Sequence, residues 1–221
     1  MSALARLLQL ASPALPVGAY SYSQGLEAAV ESGMISDAQS AGRWIGDALA
    51  LSVAKFEAPV WCRLYEAWRA GDIDEARRLN GFFVATRETA ELRAETLQMG
   101  YSLRRLWLEL EKPDTGALQS MEEIAFPTAF TLAAVRWDIA QHDALVAYLW
   151  SWLENQAMAA LKAVPLGQTD GQKLLLRLGA TLASIAEHAI AAEASMLANF
   201  APGLAIACSR HETQYSRLFR S

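Results

Sequence analysis

The stretch DGQKLLLRLGATLASIAEHAIAAEASMLA, residues 170–198, decides the fold class of this chain. Its apolar side chains recur at steps of three and four, at Leu175, Leu178, Leu182, Ile185, Ala189, Ala192 and Met196. Because an α-helix turns once every 3.6 residues, this spacing keeps the apolar side chains on one face. The stretch therefore predicts an amphipathic helix over 170–198.

The same helical spacing recurs along the rest of the chain, and no segment shows the sustained alternation of a β-strand. Ser36 with Gln39, and Ser120 with Glu123, have the spacing of helix capping boxes. The expected helices are 2–10, 23–32, 37–55, 57–70, 73–85, 87–111, 121–125, 128–140, 143–164, 170–198 and a short one after residue 203. The prediction is an all-α, single-domain, irregular bundle of about ten helices over 1–200, followed by a partner-binding tail over 201–221.

Composition narrows the class of protein. The 221 residues are 53% hydrophobic and only 19% charged, against a usual charged share of about 25%. Either the core is large or a partner covers some apolar surface. The net charge of −5 argues against nucleic-acid binding. The uncharged stretch 7–26 contains Pro13 and Pro16, which argues against a membrane helix. Two distant cysteines, Cys62 and Cys208, fit a reducing cytoplasm.

Residues 12–25, SPALPVGAYSYSQG, interrupt the helical pattern near the start. The two prolines stiffen the backbone, so the segment is predicted to be a fixed loop that leads into a helix. Tyr20 and Tyr22 allow two interpretations. They cap the core of the domain, or they belong to a recognition loop, since tyrosine offers a large contact area with a polar tip.

Residues 209–221, SRHETQYSRLFRS, form a second unusual segment at the end. Three arginines against one glutamate give a side-chain charge of +2, which leaves −7 for the rest of the chain. Arginine and aromatic side chains are common anchors of protein interfaces. The tail either packs on its own domain with solvated arginines, or it docks on another protein.

Catalytic motifs are missing from the sequence, which contains no GxxxxGK[ST], GxGxxG or GxSxG pattern. Cys208 and His211 share a helix face but supply only half of a metal site. Glu88, Glu91 and Glu95 lie on one face at steps of three and four. Arg87 and Glu91 sit at i,i+4 and Arg93 follows, so a solvated ion-pair lattice that pairs Arg87 with Glu91 is the expected arrangement. That acidic stripe could equally face a basic partner or a passing cation. A helical enzyme of unknown chemistry is the least favoured interpretation.

Four segments in this order resemble the UreF family of urease accessory proteins. They are LASPALPVGAYSYSQGLE (10–27), RETAELR (87–93), FPTAF (126–130) and RHETQYSRLF (210–219). The resemblance is collinear and spans nearly the whole chain.

The resemblance implies an all-helical, cytoplasmic protein that forms homodimers and has no enzymatic activity and no cofactor of its own. It implies three partners: the accessory protein UreD, called UreH in some organisms, the GTPase UreG, and the urease apoprotein. Their complex handles nickel and loads it into urease, and the UreF component influences the UreG GTPase. No nucleic acid and no membrane are expected as partners.

Two sets of residues follow as expectations. The partner-binding set is Tyr20, Tyr22, Arg210, Tyr215, Arg217, Leu218, Phe219 and Arg220, of which the tail members would dock on UreD. The set that could face the GTPase is Arg87, Glu88, Glu91 and Arg93. The alternative function is a GTPase-activating protein for UreG, in which an exposed arginine of the second set completes the GTPase site.

Overall fold

The computed structural model describes residues 2–111, 121–193 and 197–221 of the chain. Within these ranges the backbone forms helices joined by turns and loops, and no β-strand is present. The all-α prediction is confirmed.

In chain order the helices are α1 (Ala3–Leu10), α2 (Leu26–Glu31), α3 (Ala38–Ala48), α4 (Ala58–Ala70), α5 (Ile73–Ala85), α6 (Ala90–Glu111), α7 (Phe126–Arg136), α8 (Gln141–Ala163), α9 (Gln168–Gly179), α10 (Leu182–Ala191) and α11 (Pro202–His211). A 3₁₀ turn covers Ala19–Ser21, and a π-helical segment, Leu49–Glu57, joins α3 to α4.

The centre of the bundle is an aromatic cluster where α4, α7 and α8 meet. Trp61 of α4 is fully buried and stacks on Tyr65, with ring centroids 5.6 Å apart. Phe130 of α7 and Tyr148 of α8 pack against the same tryptophan. Large apolar side chains that fill one shared space stabilise the contact of all three helices, because each removes much apolar surface from water.

The π-helical segment replaces the break expected between helices 37–55 and 57–70. Pro59 has no N–H, so the helical partner of the Lys55 carbonyl is missing. The Ala58 N–H bonds to the Val53 carbonyl five residues back, as in a π-helix. The free Lys55 carbonyl instead accepts a hydrogen bond from Ala198 N at 3.2 Å. The chain therefore continues from α3 to α4 through a π-helical turn. The carbonyl oxygen of Lys55 is available to the segment before α11.

Two local predictions around helix starts are wrong. The capping box of α3 is formed by Asp37 and Ser40, one residue later than Ser36 and Gln39, because the short Ser40 hydroxyl reaches the Asp37 N–H at 3.1 Å. The predicted helix 121–125 is absent, since side chains of other helices bind that backbone instead, with Asn80 Oδ1 accepting from Ala125 N. The box predicted at Ser120 and the end of the helix predicted over 170–198, at 194–196, lie outside the described residues.

The stretch predicted as one helix over 170–198 is divided into α9 and α10. The Leu178 carbonyl accepts bonds from both the N–H and the hydroxyl of Thr181, which replace the next helical bond. The predicted apolar face is nevertheless correct over the described part, because Leu175, Leu182 and Ala189 are buried.

The opposite side of α9 and α10 carries exposed apolar side chains among polar and charged ones. Among the described residues, Gln168–Ala191 is long and apolar enough to cross a membrane, because its most apolar 18 residues have a mean hydropathy of 1.3, although length and composition alone are weak evidence for that. Only 28% of those 18 residues are buried. Leu176 and Ile190 are the large apolar side chains exposed on this side among the described residues.

Candidate functional site

The opening segment, residues 12–25, is a loop that ends in two left-handed residues. Gln24 and Gly25 have φ values of 52° and 77°, and this bend directs the chain into α2. A Cβ on Gly25 would lie 2.9 Å from the backbone nitrogen of Cys208. The missing side chain therefore lets the backbone of α11 pack directly on the start of α2.

The tail beyond α11 turns back and lies across this bend. Its last residue, Ser221, accepts hydrogen bonds at its carbonyl oxygen from the Ser23 N–H and hydroxyl, both at 2.6 Å, and from Gln24 N at 3.1 Å. Arg220 N donates to the carbonyl of Ser21 at 2.7 Å. The opening segment and the tail are thus joined by backbone hydrogen bonds, although they are about 200 residues apart.

Glu27 of α2 is the buried carboxylate that holds the tail from below. It accepts hydrogen bonds from Leu218 N at 2.7 Å and Phe219 N at 3.0 Å. The Nε2 atom of His211 lies 3.2 Å from the same carboxylate. A charged acceptor with two or three donors is among the stronger hydrogen-bonded arrangements in a protein, so this carboxylate fixes the backbone of 218–219.

Glu91 of α6 holds the tail from the side. Its two oxygens contact Nδ1 of His211 at 2.7 Å and Nη1 of Arg217 at 2.6 Å. The backbone N–H of Glu91 also donates a hydrogen bond to the side chain of Glu212, the residue after α11, at 3.2 Å. The basic tail therefore contacts Glu91, a member of the acidic stripe predicted from the sequence.

Glu95, one turn further along α6, closes the contact beneath the last residue. It accepts hydrogen bonds from Nε2 of Gln24 at 2.7 Å and from the hydroxyl of Ser221 at 2.9 Å. Burial raises the pKa of this carboxyl to about 7, since desolvation outweighs the two hydrogen bonds that favour its charge. Oε1 of Gln24 in turn accepts from Trp152 of α8 at 2.8 Å.

These contacts show how the expected partner-binding residues are placed. Phe219 and Tyr22 are buried, and Tyr20 is half-buried. Tyr215 is fully exposed, Leu218 is 70% exposed, and the three arginines of the set, Arg210, Arg217 and Arg220, face solvent. The tail packs on its own domain through one face and presents an aromatic, apolar and cationic face outward. The tail therefore packs on its own domain through its inward side chains, and docking of the outward side chains on another protein stays a prediction.

A cavity of about 310 Å³ lies behind the opening segment. Its wall combines the loop 10–21 with side chains of α5, α6, α7 and α8, and Glu95 lies on it. Arg87 points into this region with only 12% of its side chain exposed, paired with Glu57 at 3.3 Å and 4.1 Å above the ring of Phe83. Tyr148 donates to the same Glu57, and burial raises the pKa of that tyrosine.

The set expected to face a GTPase is therefore divided. The predicted pairing of Arg87 with Glu91 is wrong, because Arg87 turns inward to Glu57 and Glu91 binds the tail. The expected solvated lattice is replaced by contacts within the chain. Arg93 is half-exposed and pairs with Glu123 at 3.0 Å, and Glu88 is exposed.

The Cys208 and His211 pair does not gain further metal ligands. Both ring nitrogens of His211 face carboxylates, and burial raises the pKa of the Cys208 thiol to about 12. Across the described ranges, no group of three or more His, Cys, Asp or Glu side chains could hold a metal ion.

Sequence reasoning missed Glu27, His211 and Glu95 as the residues that organise this site. One signal was available for the first of them, since Glu27 is a single charge within the apolar run 26–30. Lone charges on a buried helix face usually bind a specific partner.

The described residues thus define an all-helical body that orders its own basic tail beside the opening loop. The model of the UreF family matches residues 35–179. The urease accessory protein UreF of Dechloromonas aromatica (strain RCB) is 57% identical over 222 residues, covering 99% of this chain and 97% of that protein. The urease accessory protein UreF of Azoarcus sp. (strain BH72) is 59% identical over 223 residues, covering 99% and 95%. The chain belongs to the UreF family.

Proposed function

We propose that this chain is an accessory protein of urease maturation that acts as an adaptor. It binds the accessory protein UreD and links it to the GTPase UreG, and their complex inserts nickel into the urease apoprotein in the cytoplasm. Nickel is the cargo of that complex and not a cofactor of this chain. The names of its relatives support the role in urease maturation.

The outward face of the tail is the observation that carries the adaptor role. Tyr215 and Leu218 are exposed, while Glu27 binds the backbone N–H of Leu218 and Glu91 binds the side chain of Arg217. A preordered apolar and aromatic face costs little conformational entropy when a partner covers it. The exposed arginines around it suit carboxylates or carbonyl groups of that partner.

Action by binding instead of catalysis is part of this proposal. Glu27, Glu91 and His211 of the site are engaged with one another. A nucleophile next to a free general base is the arrangement that an enzyme of this size would need.

The experiment that tests the adaptor role compares Leu218→Asp with Leu110→Asp in a pull-down by UreD. Loss of one buried leucine costs about 2 kcal/mol, so we expect binding to fall by at least about tenfold for the first variant. Leu110 is also exposed and lies on α6, about 22 Å along the helix from Glu95 by helical rise, so its variant should bind normally. Undiminished binding by Leu218→Asp would refute the docking role of the tail.

Point variants separate the two faces of the tail better than deletion of 209–221. Deletion also removes the buried side chains of His211 and Phe219, which contact the body of the chain. A truncated protein that fails to bind UreD would therefore leave the outward and inward faces unresolved, whereas Leu218→Asp changes only an exposed side chain.

A second candidate, activation of the UreG GTPase through an exposed arginine, is supported at one position. Arg93 keeps half of its side chain exposed, whereas Arg87 is covered. In single-turnover GTP hydrolysis by the assembled complex, Arg93→Ala should slow the reaction by at least about a thousandfold if Arg93 completes the site. Arg105→Ala, which removes an exposed arginine further along α6, serves as the matched control. Equal rates for both variants would exclude Arg93 from this role.

A further inference from the structure

The cavity behind the opening segment is large enough to hold a small organic ligand. Its volume is about 310 Å³, whereas an apolar cavity of about 150 Å³ already binds benzene. A ligand of about ten non-hydrogen atoms therefore fits the space. Pro13 and Ala14 of the opening segment border the cavity and are exposed, so the cavity reaches the surface of the chain beside them.

Apolar and aromatic side chains form most of the cavity wall. Phe126 of α7 stacks on Tyr148 of α8, with ring centroids 5.6 Å apart, and Trp152 borders the cavity one turn further along α8. Rings of this kind hold a flat apolar body by removing its surface from water, and their faces also attract cations. The wall therefore suits a ligand with an aromatic part.

The acidic and basic side chains on the wall carry more negative than positive charge. They are Glu57, Arg87, Glu95 and Glu154. Glu57 and Arg87 form an ion pair at 3.3 Å, so their charges balance each other. Glu154 and the ionised form of Glu95 are left as the excess. A cation in the cavity is therefore favoured over an anion.

Glu154 is the wall carboxylate whose charge the chain leaves unbalanced. It is half-buried on α8, and no hydrogen bond or ion pair joins it to another of the described residues. Burial raises the pKa of this carboxyl, and no neighbouring cation offsets the desolvation. A ligand cation beside Glu154 would supply the missing opposite charge.

The next residue, Asn155, adds a buried acceptor that has no donor. Asn155 borders the cavity and is only 8% exposed. Its Nδ2 atom donates to the carbonyl of Tyr22 at 3.1 Å, which fixes the orientation of the amide group. Its Oδ1 atom has no hydrogen-bond partner. Because an unpaired buried acceptor costs free energy, a donor held in the cavity beside Asn155 would be stabilising.

We propose that this cavity binds a small organic cation, an arylalkylamine whose ammonium group donates to Glu154 and Asn155. Its aromatic body lies against the rings of Phe126, Tyr148 and Trp152. A primary ammonium group has hydrogen-bond donors and no acceptor, so it matches a carboxylate and an amide oxygen at once. Its charge also offsets the acidic excess of the wall, and such charge-assisted hydrogen bonds are the stronger kind.

An anionic ligand is the alternative that Arg87 suggests, because its Nε atom also has no hydrogen-bond partner. The guanidinium group is already paired with Glu57 and lies 4.1 Å above the ring of Phe83. An anion would gain one hydrogen bond there and would face Glu95 and Glu154 without an opposite charge of their own. The excess of carboxylates therefore decides in favour of the cation.

The ligand site goes beyond the adaptor function and does not depend on it. Tyr215 and Leu218, the exposed apolar residues of the tail, are not among the residues that border the cavity. Binding of an amine can therefore be measured on the isolated chain, without a partner protein.

NMR titration of the full-length chain with phenethylamine, which is a cation at neutral pH, tests the site. A ligand of this size in a well-fitting cavity is expected to bind with a Kd of about 1 mM or lower. The backbone amide signals of Leu15, Tyr20 and Asn155, which border the cavity, should shift on binding. The amide of Tyr215 on the outward face of the tail should not shift.

Two ligands of similar shape isolate the contribution of the positive charge. Phenethyl alcohol replaces the ammonium group by a neutral hydroxyl, and phenylacetate replaces it by a carboxylate. We expect the amine to bind at least about tenfold more tightly than the alcohol, because its hydrogen bonds are charge-assisted. We expect phenylacetate to bind more weakly than either.

Two variants identify the carboxylate that binds the ammonium group. Glu154→Gln keeps the shape and removes the charge, so its affinity for phenethylamine should fall by about tenfold while its affinity for phenethyl alcohol stays the same. Glu187→Gln is the matched control, since Glu187 is an exposed helical glutamate on α10 that does not border the cavity. It should bind the amine as the unmodified chain does. The core amide of Leu149 reports whether each variant remains folded.

Absence of saturable binding by phenethylamine would overturn the proposal, as would equal affinities for the amine, the alcohol and the acid. An unchanged preference for the amine in Glu154→Gln would contradict the assigned position of the ammonium group. Should that variant fail to fold, the comparison of the three ligands on the unmodified chain still decides. The UreD pull-down uses no amine, so failure of the ligand site is distinguishable from failure of the adaptor role.

Discussion

At the scale of single residues, the site depends on side chains that connect distant parts of the chain. Glu27 and His211 are 184 positions apart, and no local pattern predicts that they meet. Periodicity reports which face of a helix is buried, but it carries no information about which polar group will lie opposite. The sequence therefore pointed to the two unusual segments, while the carboxylates that join them became visible only in the structure.

Gly25 makes the closest of these contacts possible, and we expect Gly25→Ala to weaken it. The substitution places an L-residue at φ 77°, which costs about 1–2 kcal/mol. It also forces a Cβ to 2.9 Å from the Cys208 nitrogen on α11, and overpacking of this kind adds about 1–3 kcal/mol. Urea unfolding measures the loss of global stability. Hydrogen-exchange protection of the Leu218 amide, followed by NMR, measures tail docking.

Gly33→Ala is the matched control for this prediction. Gly33 has the same φ of 77°, but a Cβ there would meet nothing within 4 Å, so only the backbone cost applies. The Gly33 variant should lose stability but keep its docked tail. If the two variants are equal in both measurements, the close approach of α11 to Gly25 contributes nothing.

At the scale of elements, local rules predicted the helices well wherever local interactions decide them. The span 73–85 matches α5, Ile73–Ala85, because Asp72 caps its first turn and its apolar period is regular. The predictions were wrong where a residue distant in sequence forms the hydrogen bond that a helical backbone group would otherwise make. The side chain of Asn80 hydrogen-bonds to the backbone of the predicted helix 121–125. The Lys55 carbonyl, which Pro59 cannot bind, accepts a hydrogen bond from Ala198 before α11.

The candidate site also combines parts that the sequence indicates with an arrangement that only the structure shows. The acidic stripe at Glu88, Glu91 and Glu95 and the basic tail were both visible in the sequence, and each was left with alternatives. Their union follows from electrostatic complementarity once the opening segment bends at Gln24 and Gly25 and the tail lies across that bend. The direction of that bend depends on left-handed backbone angles, which composition alone does not specify.

At the scale of the whole molecule, the surface of α9 and α10 exposes large apolar side chains among polar ones in the described part of the chain. Leu176 is 79% exposed and Ile190 is 41% exposed. Large exposed apolar patches commonly mark protein interfaces. The homodimer expected of this family needs a surface that pairs with a copy of itself, and two antiparallel copies of one helical face meet this requirement. We expect the dimer to form there.

This expectation gives a prediction for solution mass. In light scattering coupled to size-exclusion chromatography, the unmodified chain should elute as a dimer, and Leu176→Asp should shift it to a monomer. Burial of one unpaired carboxylate at each of two symmetric positions costs several kcal/mol in total, enough to dissociate a micromolar dimer. Leu110→Asp, which changes an exposed leucine on α6, should remain dimeric.

Two other outcomes of the mass measurement would contradict the prediction. A monomeric unmodified chain at all concentrations would contradict the homodimer itself. A dimeric Leu176→Asp variant would place the interface elsewhere. Because α9 and α10 lie apart from the tail contacts of α2 and α6, the Leu176 variant should also keep the hydrogen-exchange protection of the Leu218 amide, so that assembly and tail docking can be measured as separate properties.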